Sequence, residues 1–375
     1  MLRRLLPLAL ALALVAGVGL VAAVEPETEV ANDAVEYIKS LQNADGGFPA
    51  FGAESSPGAT LDAVFALVAA GEDPLDVTSG GNSPADYLAT QWDTYSVDAG
   101  GAAKLMLGVV AMGLDPVEFF DLPSVLEGHL AEDPSTGVYG FDMFDQALSV
   151  LALVAAAEPV RPAAVDYLRL QQRADGGWEF SPGSGSDSNT TAMALQALLA
   201  SGDGPGSPAV LDGLAYLRTA QNAAGGFGFL PGADSDPNST ALVIQALVAA
   251  GQDIGEGGPW APEGHTPLEG LLTFRNPETG AFQYAGEDSP FATYQAVPAL
   301  MLAPFPDLET RVIEGPTPQA PTVIEVTATP TVPVGGLPPA GQGARGAHEP
   351  WWALAALLVG GAGALGAGAL RWRSR

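Results

Sequence analysis

No cysteine occurs in the 375 residues. That excludes disulfides, thiol nucleophiles and zinc sites built on thiolates. Histidine is almost as scarce: His129, His265 and His348 are far apart, and no HxxxH pairing is present. No metal ligand is therefore assigned. Positive charge is the third deficit. The chain carries 14 basic against 43 acidic residues, for a formal net charge of −29. Arg3, Arg4, Arg345, Arg371, Arg373 and Arg375 sit near the ends, while Glu349 is the one acidic residue beyond Gly341. The central stretch is thus strongly acidic. This argues against nucleic-acid binding, which needs basic surface. It suits solubility in an extracellular or salty setting.

What the chain does have is a repeat. Residues 163–202 read AAVDYLRLQQRADGGWEFSPGSGSDSNTTAMALQALLASG. A helix-period segment stops at Asp175-Gly176-Gly177, Trp178 follows, and a polar loop leads through Asp187 into a second, apolar helix. Glycine suits the left-handed C-cap and aspartate the next N-cap. Six apolar runs, this one included, end at Gly71, Gly113, Ala157, Gly202, Gly251 and Pro304. Fifteen residues before each stand Ser56, Asp98, Asp142, Asp187, Asp236 and Ser289, all suited to capping. A period of 42 to 53 residues means stacked or closed helical hairpins.

The first helices of the six pairs are predicted at 34–42, 85–92, 124–131, 163–172, 210–221 and 267–275. The second are predicted at 59–70, 99–112, 144–156, 189–200, 238–250 and 291–302. The second helices are apolar nearly all round, so they must be buried; the first carry more charge, such as Asp166, Arg169 and Arg173. An inner ring of buried helices inside an outer ring of amphipathic ones is a closed (α/α)6 toroid, all-α in class. An open solenoid would expose its apolar members and want polar end repeats, and neither terminal pair is polar in that way.

Residues 1–23 read as a signal peptide, with Arg3-Arg4, an apolar run and a small-residue site at Val21-Ala22-Ala23. The toroid spans 24–306. Residues 307–350 form a Pro/Thr-rich linker, expected to be extended. Residues 351–370 are apolar and long enough to cross a bilayer, and 371–375 are a basic tip expected on the cytoplasmic side. Leu337-Pro338-Pro339-Ala340-Gly341 with this span and tip resembles a bacterial cell-wall sorting signal, with Ala340 where threonine is usual. The body is then displayed outside the cell, monomeric, anchored to membrane or wall through the C-terminal segment.

Tyr167-Leu168-Arg169-Leu170-Gln171-Gln172 with Gly176-Gly177-Trp178 is similar to the QW motif of squalene-hopene cyclases, with weaker copies at 37–48 and 216–227. The chain resembles the terpenoid cyclase and protein prenyltransferase superfamily over about 26–306, which implies the same toroid. A class II cyclase would need a DxDD acid motif, and none occurs; Asp142 and Asp145 are the nearest catalytic candidates. A prenyltransferase would need a cysteine for its zinc site. The cobalamin carriers, such as intrinsic factor and transcobalamin, use the toroid as a ligand clamp, and Asp236 to Ala241 and Thr293 to Pro298 are most like them.

The favoured reading is non-catalytic binding of a small amphipathic ligand, isoprenoid- or corrinoid-like, or of another surface molecule. No cofactor is required, although the resemblance admits a cobalamin-like ligand. The candidate binding residues are Asp142, Asp187, Asn189, Thr191, Asp236, Asn238, Thr240, Tyr294 and Gln295, gathered at one mouth of the ring. Helix capping is the plainer role for the aspartates. The alternatives are a cyclase with an atypical acid and a structural surface protein with a filled ring. Lys104, on an otherwise apolar helix, is expected to pair with Asp62 or another acid, or with a ligand anion, because an unpaired buried ammonium is costly.

Overall fold

The structure, a computed structural model, describes residues 24–308. The expected signal peptide, the linker beyond Leu308 and the apolar run 351–370 lie outside the described residues. Among the described residues no helix is long and apolar enough to cross a membrane.

The described chain alternates outer and inner helices. The outer ones are α1 (Thr28–Ser40), α3 (Pro84–Tyr95), α5 (Leu122–Glu127), α7 (Pro162–Leu170), α9 (Pro208–Ala220) and α11 (Pro267–Leu272). The inner ones are α2 (Pro57–Ala69), α4 (Ala99–Ala111), α6 (Met143–Ala155), α8 (Ser188–Ala200), α10 (Pro237–Ala249) and α12 (Pro290–Leu300). Each inner helix packs on the next, and α12 packs back on α2. The ring is closed, as the all-round apolar helices require. Arg275 and Asp33 pair across the seam between the last and first repeats, and the Glu27 amide donates to the Leu300 carbonyl at 2.9 Å.

The inner helices start alike. Ser56, Asp98, Asp142, Asp187, Asp236 and Ser289 are their N-caps, and each side chain accepts the amide three residues on, at 2.7–3.3 Å. Pro57, Pro237 and Pro290 occupy the first helical position, where the missing N–H costs nothing. They also end alike. Two residues past each helix the chain turns left-handed, at Gly71, Gly113, Gly202 and Gly251 and, without glycine, at Ala157 and Leu302. The following amide reaches back to a carbonyl five residues earlier, as in Glu72 to Leu67 and Ala303 to Pro298. The sixth repeat corrects the alignment of the apolar runs. Its left-handed residue is Leu302, not Pro304, because a proline ring fixes φ negative. Accordingly α12 stops at Leu300.

The outer helices also depart from the expected pairing. Each leans mainly on the inner helix before it in sequence, α3 on α2 and α9 on α8, rather than on the one it leads into. A separate bridge joins successive outer helices: just past α7, the Gln172 amide donates to the Gly176 carbonyl and to the Ala209 carbonyl of α9, both at 2.8 Å. Gln42 and Gln221 make the same two-way bridge. The aromatics after the glycines, Phe48, Tyr139, Trp178, Phe227 and Phe282, are fully buried wedges between the rings.

Candidate functional site

The six caps share one rim. The amide of Met143, next to cap Asp142, donates to the Phe180 carbonyl in the loop leading to Asp187; the amide of Ser188 likewise donates to Phe229, in the loop leading to Asp236. Neighbouring repeats are thus stitched cap to cap. The rim carries aromatic side chains as well: Phe51 lies 6.3 Å from Phe291, and Phe144 lies 6.2 Å from Phe180, centroid to centroid.

The opposite end has a floor that no motif in the sequence marks. After α12 the chain turns inward. Gln245 of α10 donates to the Ala303 carbonyl at 2.9 Å, and the Phe305 amide donates to Gln196 Oε1 of α8 at 2.9 Å. The Phe305 ring meets Phe65 of α2 edge-on at 5.1 Å. In a ring of six, α2 and α8 stand opposite each other. A residue touching both lies across the axis, so residues 303–305 close the ring at that level.

Gln196 and Gln245 identify the ring-facing side of their helices. Asn189 and Asn238 stand seven residues earlier, two turns up on the same face. Asn238 Oδ1 is buried with no hydrogen-bond partner, and so is Gln295 Oε1 on α12. The other candidates are placed differently. Thr191 and Thr240 accept the amides of Trp178 and Phe227, each at 3.0 Å, and are fully buried between the rings. Tyr294 donates its phenol to the Pro49 carbonyl at 2.9 Å, edge-on to Phe48. The polar atoms of these three are taken up by the wall. Thr191 and Thr240, four residues past their caps and two past the ring-facing asparagines, have rotated away from the ring axis. Asp142, Asp187 and Asp236 cap their helices at the rim.

The rim is electrostatically uneven. Asp145 is held between Gly100 and Gly140, at each of which a Cβ would come within 2.2 Å of its carboxylate, and it accepts the Phe141 amide at 3.1 Å. Burial, then the charge of Asp142, then that of Asp98 push Asp145 up to about 8, even against its backbone bond. Burial raises Asp142 to about 6, and also Asp187 to about 6, in both cases against the amides they cap. Asp236 is raised for the same reason. Deeper in, Lys104 of α4 pairs with Asp62 Oδ1 of α2 at 2.8 Å and donates to the Gly58 carbonyl at 3.1 Å. Burial raises Asp62 and lowers Lys104, and each partner's charge opposes that shift.

Comparison with known proteins fits this geometry. Residues 8–91 and 143–255 match the model of the prenyltransferase alpha-alpha toroid domain. The chain belongs to that family. Among solved structures, the type II terpene cyclase MstE from Scytonema aligns at 18% identity and TM-score 0.53, covering 73% of this chain and 96% of its own. A protein from Actinoplanes aligns at 15% identity and TM-score 0.52, covering 73% and 98%. Candida albicans protein geranylgeranyltransferase-I, solved with GGPP, aligns at 11% identity and TM-score 0.51, covering 72% and 90%. At these identities the likeness is one of fold. No curated protein matches the chain. Sequence reasoning passes over Gln196, Gln245, Tyr95 and Phe305. A usable signal is the pair of Gln-Ala-Leu segments at equal register in α8 and α10.

Proposed function

We propose that this toroid binds a small amphipathic, isoprenoid- or corrinoid-like ligand between its rim and its floor, without transforming it. The observation that carries the reading is the pair of buried, unpartnered amide oxygens, Asn238 Oδ1 and Gln295 Oε1. Burying such groups without partners costs roughly 1–3 kcal/mol each, which a ligand's donors would recover. The structural neighbours named for a terpene cyclase and for a complex with GGPP make an isoprenoid the first class to test. The C-terminal segment, on this reading, displays the body outside the membrane.

A second reading has one observation in its favour. Asp145, at about 8, holds a proton at neutral pH, as an acid catalyst must. Its direction of shift argues against a cyclase, however. Protonating an alkene calls for a strong acid, and burial together with the neighbouring carboxylates makes Asp145 a weaker one. A neutral Asp145 is better suited to donating a hydrogen bond.

The test is solvent extraction of the purified full-length chain, followed by mass spectrometry. One amphipathic compound near stoichiometry is expected, reduced in Asn238→Leu/Gln295→Leu. Conversion of added geranylgeranyl compounds, abolished by Asp145→Asn, would replace the binding reading with the enzymatic one.

A further inference from the structure

One constellation inside the ring is used neither by the fold nor by the reading above. Asp62 sits three residues, about one turn, from Phe65, hence just above the floor. Only its Oδ1 faces Lys104. Its Oδ2 is buried with no hydrogen-bond partner, and the residue as a whole is 8% exposed. Nearby, Tyr95 ends α3 beside the start of α4. Its phenol oxygen is buried and also without a partner, close enough to Asp62, Asp98 and Asp145 to feel all three charges. An acceptor and a donor thus lie in one region, each unpartnered. The same register of the ring on α6, α8 and α10 is apolar, with Leu148, Met193 and Leu242. A buried ion pair is a poor stability device compared with packed hydrocarbon, so stability alone does not account for Asp62 and Lys104 here.

We propose that Asp62 and Tyr95, braced by Lys104, form a subsite for the alcohol end of the ligand. A hydroxyl matches the pair because it donates and accepts at once: the Tyr95 O–H donates to the ligand oxygen, and the ligand O–H donates to Asp62 Oδ2. Lys104 holds the Asp62 carboxylate in place through Oδ1. The hydrocarbon body of the ligand lies toward Leu148, Met193 and Leu242. The proposal rests on the binding reading and adds the chemistry of one end.

The test titrates the full chain, by tryptophan fluorescence, with three probes of one skeleton: farnesol, farnesyl methyl ether, which cannot donate, and farnesene. Farnesol is expected to bind at least ~10-fold more tightly than either, the worth of a hydrogen bond to a charged group. The preference over the ether should fall below about threefold in Asp62→Leu/Lys104→Met, and the preference over farnesene should shrink at least ~3-fold in Tyr95→Phe, which removes a bond the ether also accepts, with farnesene affinity kept in both. The double variant removes the charges together, so it leaves no lone buried ion. Equal affinity for all three probes would overturn the subsite and leave the binding reading standing. A farnesol preference that survives in both variants would also overturn it. If none of the three binds, the isoprenoid reading falls and takes the subsite with it.

Discussion

The Phe305 amide donates to the side-chain carbonyl of Gln196, 109 residues earlier in the chain, at 2.9 Å. This bond, with Gln245 on the Ala303 carbonyl, turns the chain's exit from the last helix into the floor of the ring. Ending the chain after Leu302 should therefore strand two buried amides. The expected loss is about 1–3 kcal/mol for each, read as a lower melting temperature than for a chain ending after Leu308. Equal melting temperatures for the two truncations would mean the floor carries no stability.

The Asp62–Lys104 pair makes an asymmetric prediction. Lys104→Met alone leaves a buried carboxylate unpaired and should cost about 3–5 kcal/mol. Asp62→Leu/Lys104→Met should fall within about 1 kcal/mol of the parent in urea unfolding. A double variant as unstable as the single one would show that the pair holds the ring together.

Stability should fall as pH rises. Asp142, Asp187 and Asp145 have folded values of about 6, 6 and 8, all above the ordinary carboxylate value. The folded state therefore binds more protons than the unfolded one between about pH 4 and pH 8. Their contribution is fully present below about pH 4 and is lost through pH 6 and then pH 8. Asp145→Asn should flatten the upper part of that fall, raising the melting temperature at pH 8 by at least ~2 °C relative to the parent. Melting curves at pH 5, 6, 7, 8 and 9 check this.

Gln172 and Gln171 are neighbours with different duties. Gln172→Ala removes both carbonyl bridges and should cost roughly 1–3 kcal/mol, whereas Gln171→Ala should stay within ~0.5 kcal/mol. Chemical denaturation of the two variants side by side decides it.

Much of the ring is legible in the residues alone. The caps Ser56 through Ser289 stand out because capping needs a particular side chain at a particular offset, and every repeat keeps it. Which way each inner helix faces is not legible. Helices such as α8 and α10 are apolar on most sides, and their ring-facing Asn189 and Gln196, or Asn238 and Gln245, stand among threonines that serve the wall, so polarity alone does not mark the axis. Thr191, Thr240 and Tyr294 therefore group with the ring-facing residues by pattern, although their polar atoms serve the wall. Lys104 stands out because a lone cation in an apolar helix must have a partner, and Asp62 is there. Tyr95 and Phe305 depend on contacts between distant segments, which no local pattern encodes. The sixth repeat aligns two residues out of place because Leu302 adopts the left-handed turn without the glycine that usually marks it.

A closed ring that holds a ligand between rim and floor is the central claim. Native mass spectrometry of the full-length chain, purified without detergent exchange, measures it directly. The predicted result is a single one-to-one adduct that disappears on denaturation and is weakened by Asn238→Leu/Gln295→Leu. A bare protein mass that no isoprenoid or corrinoid shifts would contradict it.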